Sequence, residues 1–232
     1  MKKRVKQNKP KKAKIYLFRH GQTFYNKNKY FTGWKDSKLT PKGFENAREI
    51  ARKLKNKKIG IAIHSRLSRS TQTLREVLKF HPECKIILQD DRIIERSYGN
   101  LEGYSHKNFI KKIGNRFYNL LNEGDAIENL EPESRKRLKM ILGENEYEVI
   151  HRGYDVPPPN GESFEMVEKR VSEFIKDLKK LVKKQKSNVM ISAHGNSIRL
   201  FRKIMEKASV NEMSQWFIPY DKVFVYEIDI TN

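Results

Sequence analysis

Lys14-Ile15-Tyr16-Leu17-Phe18-Arg19-His20-Gly21-Gln22-Thr23 is the stretch on which the reading of this chain turns. Lys14–Phe18 is a strand-sized apolar run that passes directly into Arg19-His20-Gly21. A short apolar run stopped by a glycine reads as a buried strand, and its carboxyl end here delivers a guanidinium and an imidazole into a loop. The pattern recurs at Val189–Ser192, followed by Ala193-His194-Gly195-Asn196. Ile59–Ile63 and Lys85–Leu88 read as strands between these two, and Val223–Ile228 as the last strand. Helical periods separate them. Thr40 is an N-cap with Pro41 at the first helical position, and Phe44, Ala47, Ile50, Ala51 and Leu54 follow. Ser68–Phe80 is a second helix, stopped by Pro82. Helical stretches near 105–122 and 133–145 flank an acidic link, and Phe164 to Val182 carries the strongest amphipathic pattern. A helix from Ser197 to Lys207 follows the fourth strand.

Strands alternating with helices of this length need crossover connections, which implies a parallel sheet covered on both faces. The expected fold is therefore α/β: a three-layer α/β/α sandwich with a mostly parallel sheet and a helical insertion at 104–150. Ligands on such sheets bind beyond the carboxyl ends of the strands, where His20 and His194 stand. The expected division is a basic, disordered tail at 1–13 and a single catalytic domain at 14–232.

The 232 residues carry 49 Lys and Arg against 28 Asp and Glu, a net charge of +21. Residues 1–14 alone hold eight Lys and Arg and no acid. Such a tail attracts anions, yet it reads more simply as a solvated extension, so nucleic acid is not the expected partner. No apolar run reaches the roughly 20 residues that a membrane span needs, so no membrane partner is expected. Cys84 is the only cysteine, which excludes an intrachain disulfide and a cysteine-rich metal site. No signal peptide is visible, and the expected location is cytoplasmic.

Four strand ends each present part of one chemical kit: Arg19 and His20, Arg69 within Ser65-Arg66-Leu67-Ser68-Arg69, Glu95-Arg96, and His194. Two arginines grip a phosphoryl group bidentately. An imidazole attacks phosphorus only when neutral, and nearby guanidiniums disfavour its protonation. The same cations neutralise charge on the phosphoryl oxygens in the transition state, so no metal is expected. Glu95 is placed to protonate the leaving oxygen, which calls for a raised pKa. Taken alone, Glu95 reads more readily as a salt-bridge partner of Arg92 or Arg96 than as a proton donor, and Tyr98 and Trp34 read as core aromatics.

These segments resemble the histidine phosphatase superfamily, and within it the 2,3-bisphosphoglycerate-dependent phosphoglycerate mutases. The matching runs are Leu17 to Thr23, Asn26, Phe31-Thr32-Gly33-Trp34-Lys35-Asp36, Leu39 to Gly43, Ser65 to Arg69, Glu95 to Gly103, Tyr154 to Pro159, Gly161-Glu162-Ser163 and Ala193 to Arg199. The resemblance implies that His20 is a phosphohistidine nucleophile and Glu95 the proton donor and acceptor. It implies that His194 stabilises the transition state and that Arg19 and Arg69 hold the transferring group. Gly21, Asn26, Thr32, Gly33, Arg96, Tyr98, Lys107, His151, Arg152, Gly195 and Asn196 are the implied substrate-pocket residues. The implied activity is interconversion of 2- and 3-phosphoglycerate in glycolysis and gluconeogenesis. The implied cofactor is 2,3-bisphosphoglycerate as priming donor, with no metal. A small phosphorylated substrate is the expected partner, and a homo-oligomer stays open.

The departures cluster at the lid. His151-Arg152 stands where the mutases tend to have two arginines. The expected pocket lysine is offset, with His106 at the aligned place and Lys107 next to it. About 28 residues are extra between Gly103 and His151. The long loop after the prolines is missing, and the C-terminal tail that many of the mutases lay over the pocket is not expected. A lid decides whether water reaches a phosphohistidine. Two readings therefore stay open, a mutase and a phosphomonoester phosphatase using His20 and Glu95 with water as acceptor. A third, a basic binding protein without catalysis, is disfavoured by the intact His20, Glu95 and His194.

Overall fold

The computed structural model describes residues 12–123, 127 and 130–231. In chain order the elements are β1 (Lys12–Arg19), α1 (Phe24–Lys27), α2 (Pro41–Leu54), β2 (Ile61–His64), α3 (Ser68–Leu78) and β3 (Ile86–Gln89). They continue with α4 (His106–Glu123), α5 (Pro132–Arg152), α6 (Phe164–Gln185), β4 (Val189–Ala193), α7 (Gly195–Glu206), α8 (Val210–Gln215) and β5 (Val223–Asp229). The five strands form one sheet in the order β3-β2-β4-β1-β5. Every pairing is parallel except β1 with β5.

Alternation along the strands builds two cores. Ile15 and Leu17 of β1, Ile61 and Ile63 of β2, and Val189 and Ile191 of β4 face α6 and α7, packing with Phe164, Phe174, Leu178, Ile198 and Phe201. Tyr16, Phe18, Ala62 and Met190 point the other way, onto Ile50, Ala51 and Leu54 of α2 and Leu74 and Val77 of α3. Side chains alternate because the pleat has a period of two, so a strand apolar throughout must be covered on both sides. Each fully buried side chain of this size contributes about 1.5–3 kcal/mol.

The structure adjusts several boundaries. β1 begins at Lys12, inside the span expected as tail, because Lys12 pairs with Asp229 and its ammonium lies 2.7 Å from Glu227 across the ladder. The rest of that tail, 1–11, lies outside the described residues. Thr40 caps α2 as expected, its hydroxyl accepting from the Gly43 amide. α5 runs on to Arg152 rather than ending near 145, since nothing breaks the helix before Gly153. His151 and Arg152 are therefore helical. α8 was not foreseen, although Ser209 and Glu212 form the reciprocal cap that marks a helix start. α4 and α5 pack on each other beside the sandwich, joined to it by a small cluster of Phe31, Tyr98, Phe109 and Ile150.

Candidate active site

β1 and β4 are parallel neighbours with Arg19 opposite Ala193. The next residue on each strand is a histidine, so register alone sets His20 beside His194. The His20 amide donates to the Ala193 carbonyl at 3.0 Å, and the two rings lie 5.0 Å apart. That distance is close to the spacing of adjacent strands.

His20 is 2% exposed. Its Nδ1 lies 2.8 Å from the Gly21 carbonyl. A carbonyl only accepts, so Nδ1 carries the proton and Nε2 keeps its lone pair. Burial, then Arg69 and Arg19, pushes the pKa of His20 well below the usual imidazole value. The expected effect of the arginines is present, and desolvation exceeds it. Burial foremost, then Arg69, His20 and Arg170, pushes the pKa of His194 well below the usual imidazole value and holds it neutral. The Ser65 hydroxyl lies 2.7 Å from His194 Nε2 and orients that ring.

Arg69 is 1% exposed and its fork donates to the carbonyls of Gly33 (2.7 Å) and Lys35 (3.0 Å). Burial lowers its pKa to about 10, so it stays charged at neutral pH. The Gly33–Lys35 loop is braced from behind by Glu102. That carboxylate accepts from the amides of Trp34 (2.8 Å), Lys35 (3.0 Å) and Tyr98 (3.1 Å), and from the Ser97 hydroxyl (3.1 Å). Gly33 is required there: it sits at φ +51°, and a Cβ would fall 2.1 Å from a Glu102 oxygen. Arg19 donates to the Ile218 carbonyl at 2.9 Å and stacks 4.3 Å from the Tyr220 ring.

Glu95 takes neither of the salt bridges that its sequence neighbours suggested. Arg92 pairs with Asp90 and Asp177 instead. The Oε1 of Glu95 accepts from the backbone amides of Arg96 (2.8 Å) and Asn196 (3.1 Å), the latter in the first turn of α7. A Cβ on Gly195 would stand 3.6 Å from both the other Glu95 oxygen and the Arg19 guanidinium carbon. The Glu95 main chain is clamped too: its carbonyl accepts from Trp34 Nε1 (2.8 Å) and from Arg170 (3.1 Å). Arg170 also holds the carbonyls of Arg92 and Ile94 and pairs with Glu162 at 2.9 Å.

These groups open into a pocket of about 310 Å³. Of the residues expected there, Arg19, His20, Asn26, Thr32, Gly33, Arg69, Glu95, Tyr98, His151, Arg152, Gly195 and Asn196 line it. Gly21 and His194 stand directly behind His20.

Two expected residues are elsewhere. Arg96 is fully buried, its guanidinium between the rings of Tyr98 and Phe164 and bonded to the Ile150 carbonyl, so it does not line the pocket. Lys107 points away, because α4 starts at His106 and turns His106 inward. Lys29, from the loop after α1, supplies the pocket ammonium instead, and Arg199 of α7 adds a guanidinium. Neither was foreseen, and no local spacing signals them. Arg199 donates to Asn196 Oδ1 at 2.5 Å. Trp34, 41% exposed, is not a core aromatic, whereas Tyr98 is buried at 5%. Its hydroxyl lies 3.1 Å from His151 Nδ1, and burial lowers the pKa of His151 to about 3. Among the described residues no cluster of three or more His, Cys, Asp and Glu is arranged to hold a metal.

Residues 15–140 and 130–232 match the histidine phosphatase superfamily (branch 1). The chain belongs to this family. Histidine phosphatases are phosphotransfer or phosphatase enzymes, and the buried pair of neutral imidazoles between arginines is the part of this chain suited to that chemistry. The chain is 34% identical over 220 residues to a 2,3-bisphosphoglycerate-dependent phosphoglycerate mutase of Parvibaculum lavamentivorans, covering 93% of this chain and 90% of the relative. Its fold is similar to that of a Bacillus anthracis phosphoglycerate mutase (TM-score 0.67, 20% identity, 95% and 90% of the two chains). It is equally similar to a putative alpha-ribazole-5'-P phosphatase of Escherichia coli (TM-score 0.68, 19% identity, 93% and 90%). The phosphoglycerate mutase-like α/β fold expected from the sequence is thus the fold observed.

Proposed function

We propose that this histidine phosphatase is a 2,3-bisphosphoglycerate-dependent phosphoglycerate mutase acting through phospho-His20. The supporting observation is an excess of cations. Arg19 and Arg69 suffice for one phosphoryl group, and Lys29, Arg152 and Arg199 line the same pocket, where Glu95 is the only carboxylate among the described residues. A phosphoglycerate brings a carboxylate besides its phosphate, and the bisphosphate brings one anionic group more, so the charge of the lining fits these ligands. The relative from Parvibaculum, named for this activity, supports the reading over most of the chain.

In this reading 2,3-bisphosphoglycerate supplies the phosphoryl group that primes His20. His20 Nε2 attacks phosphorus and Glu95 hands a proton to the departing oxygen. Arg19, Arg69 and the neutral His194 stabilise the oxygens of the transferring group. Glu95 then takes the proton back from the acceptor hydroxyl as the phosphoryl group leaves His20. No metal takes part, the site is cytoplasmic, and the place is glycolysis and gluconeogenesis. The reading is tested by phosphorus NMR of the protein with 3-phosphoglycerate, a trace of 2,3-bisphosphoglycerate and chelator. Growth of 2-phosphoglycerate with little inorganic phosphate is expected, and its loss in His20→Ala.

One observation favours a phosphatase instead. His106 and His151, held neutral, form part of the pocket wall with Tyr98 and Phe31, where the mutase pattern has cations. A weaker hold on the glycerate carboxylate would favour release and hydrolysis. Steady growth of inorganic phosphate in the same experiment selects that reading.

A further inference from the structure

A second depression adjoins the pocket. It is a groove of about 960 Å³ between α4 and α5. Lys29 and His106 line both spaces, so the groove continues the pocket rather than standing apart from it. Its floor is apolar, made by Ile110, Met140 and the Tyr147 ring, and Met140 is 51% exposed. Its rim is basic: Lys107, Lys111, Arg135, Lys136 and Lys139 stand there, Glu144 is the carboxylate of the described lining, and Lys136 lies 3.9 Å from exposed Glu133.

Three details point to a ligand. Lys29, Lys107 and Lys111 line the two spaces and form no ion pair among the described residues. Lys29 adopts φ +56°, a left-handed conformation that costs a residue with a Cβ about 1–2 kcal/mol. The chain keeps a lysine there, at the junction of the two spaces, where glycine or asparagine would be less strained. His106, at the same junction, is neutral because burial and Lys29 lower its pKa to about 4, and its Nδ1 is tied to the Tyr147 hydroxyl at 3.2 Å. The passage between pocket and groove is thus walled by rings, which suits a flat or apolar body.

We infer that the α4–α5 groove receives the non-reacting part of an extended phosphomonoester, one with an apolar ring body and a second acidic group. The phosphoryl group sits at His20, the body crosses the His106–Tyr147 wall onto Ile110 and Met140, and the second anion meets Lys111 and Lys136. The chemistry at His20 is unchanged: the ester P–O bond breaks as the P–N bond forms, and the Glu95 proton goes to the leaving oxygen. The inference goes beyond the phosphoglycerate reading, because a three-carbon phosphoester is small enough for the pocket of about 310 Å³ and has no need of the groove.

The test is calorimetric titration of full-length His20→Ala protein, which binds without turnover, with glycerol 3-phosphate, adenosine 5′-monophosphate and adenosine 3′,5′-bisphosphate. Affinity is expected to rise in that order, with the bisphosphate at least about tenfold tighter than the glycerol ester. Lys111→Glu with Lys136→Glu is expected to remove about tenfold from the bisphosphate and to leave glycerol 3-phosphate within about twofold. Lys79→Glu with Lys180→Glu, exposed lysines outside both linings, controls for net charge. Equal affinity for the three ligands overturns the inference, as does an equal loss in the two double variants. Conversion of 3-phosphoglycerate by the protein with His20 and all lysines intact is measured in parallel. Its absence, alongside the expected preference of His20→Ala protein for the bisphosphate, tells against the mutase reading alone.

Discussion

Glu102 is expected to control the position of Arg69 without touching it. Its carboxylate accepts four hydrogen bonds, three on one oxygen and one from the Lys35 amide on the other. The loop it holds presents the Gly33 and Lys35 carbonyls that fix the Arg69 fork. Glu102→Gln keeps the shape, makes the remaining acceptor neutral and sets an NH2 group against the Lys35 amide. A hydrogen bond to a charged group contributes about 1.5–3 kcal/mol and one to a neutral group about 0.5–1.5. The contacts are partly solvated, so the expected net loss is about 2 kcal/mol. For a domain of this size that lowers Tm by about 4–8 °C. Arg69 is then free to drift, and loosening one phosphoryl clamp by about 1.4 kcal/mol slows transfer about tenfold. Thermal denaturation by circular dichroism gives the first number. Rapid-quench phosphorylation of His20, at a temperature where both proteins are folded, gives the second. If Tm moves by less than about 1 °C and the rate by less than about twofold, the brace is not what holds Arg69.

Two further outcomes follow from the same geometry. His20, His151 and His194 are buried and neutral in the fold, with pKa values below those of the unfolded chain, so the unfolded state binds more protons as pH falls below about 6.5. Stability is then present above that value and is lost below it at up to about 1.4 kcal/mol per histidine per pH unit; an unchanged urea midpoint between about pH 7 and pH 5 would falsify the account. Arg170→Lys loses the fork that spans the carbonyls of Arg92, Ile94 and Glu95, and is expected to lower kcat about tenfold with little change in KM. A raised KM at unchanged kcat contradicts the role given to that clamp.

The apolar runs at Ile15–Phe18 and Val189–Ile191, both ending in a histidine and glycine, were legible because a strand buried on both faces needs continuous hydrophobicity and has a defined end. The helix at Thr40-Pro41 was legible for a similar local reason, its cap chemistry being written in adjacent residues. From these the layered α/β fold and the presence of His20, Arg69, Glu95 and His194 at strand ends follow, and the structure brings all four together.

Side-chain direction at the far end of the pocket was not legible. Whether His106 or Lys107 faces inward depends on where α4 starts and how it lies on α5, and a shift of one residue on a helix turns a side chain by about 100°. Arg96 follows Glu95 in every reading of the sequence, yet it leaves the pocket, because Tyr98 and Phe164 offer its guanidinium two ring faces in the core. Lys29 and Arg199 enter from elements about 170 residues apart, and Glu102 and Arg170 act on catalytic groups through other residues' backbones. The sequence by itself determined which chemical groups stand at the ends of the strands, since burial pattern and caps are local. Only the tertiary structure decided which cations surround them, since that depends on how distant elements pack.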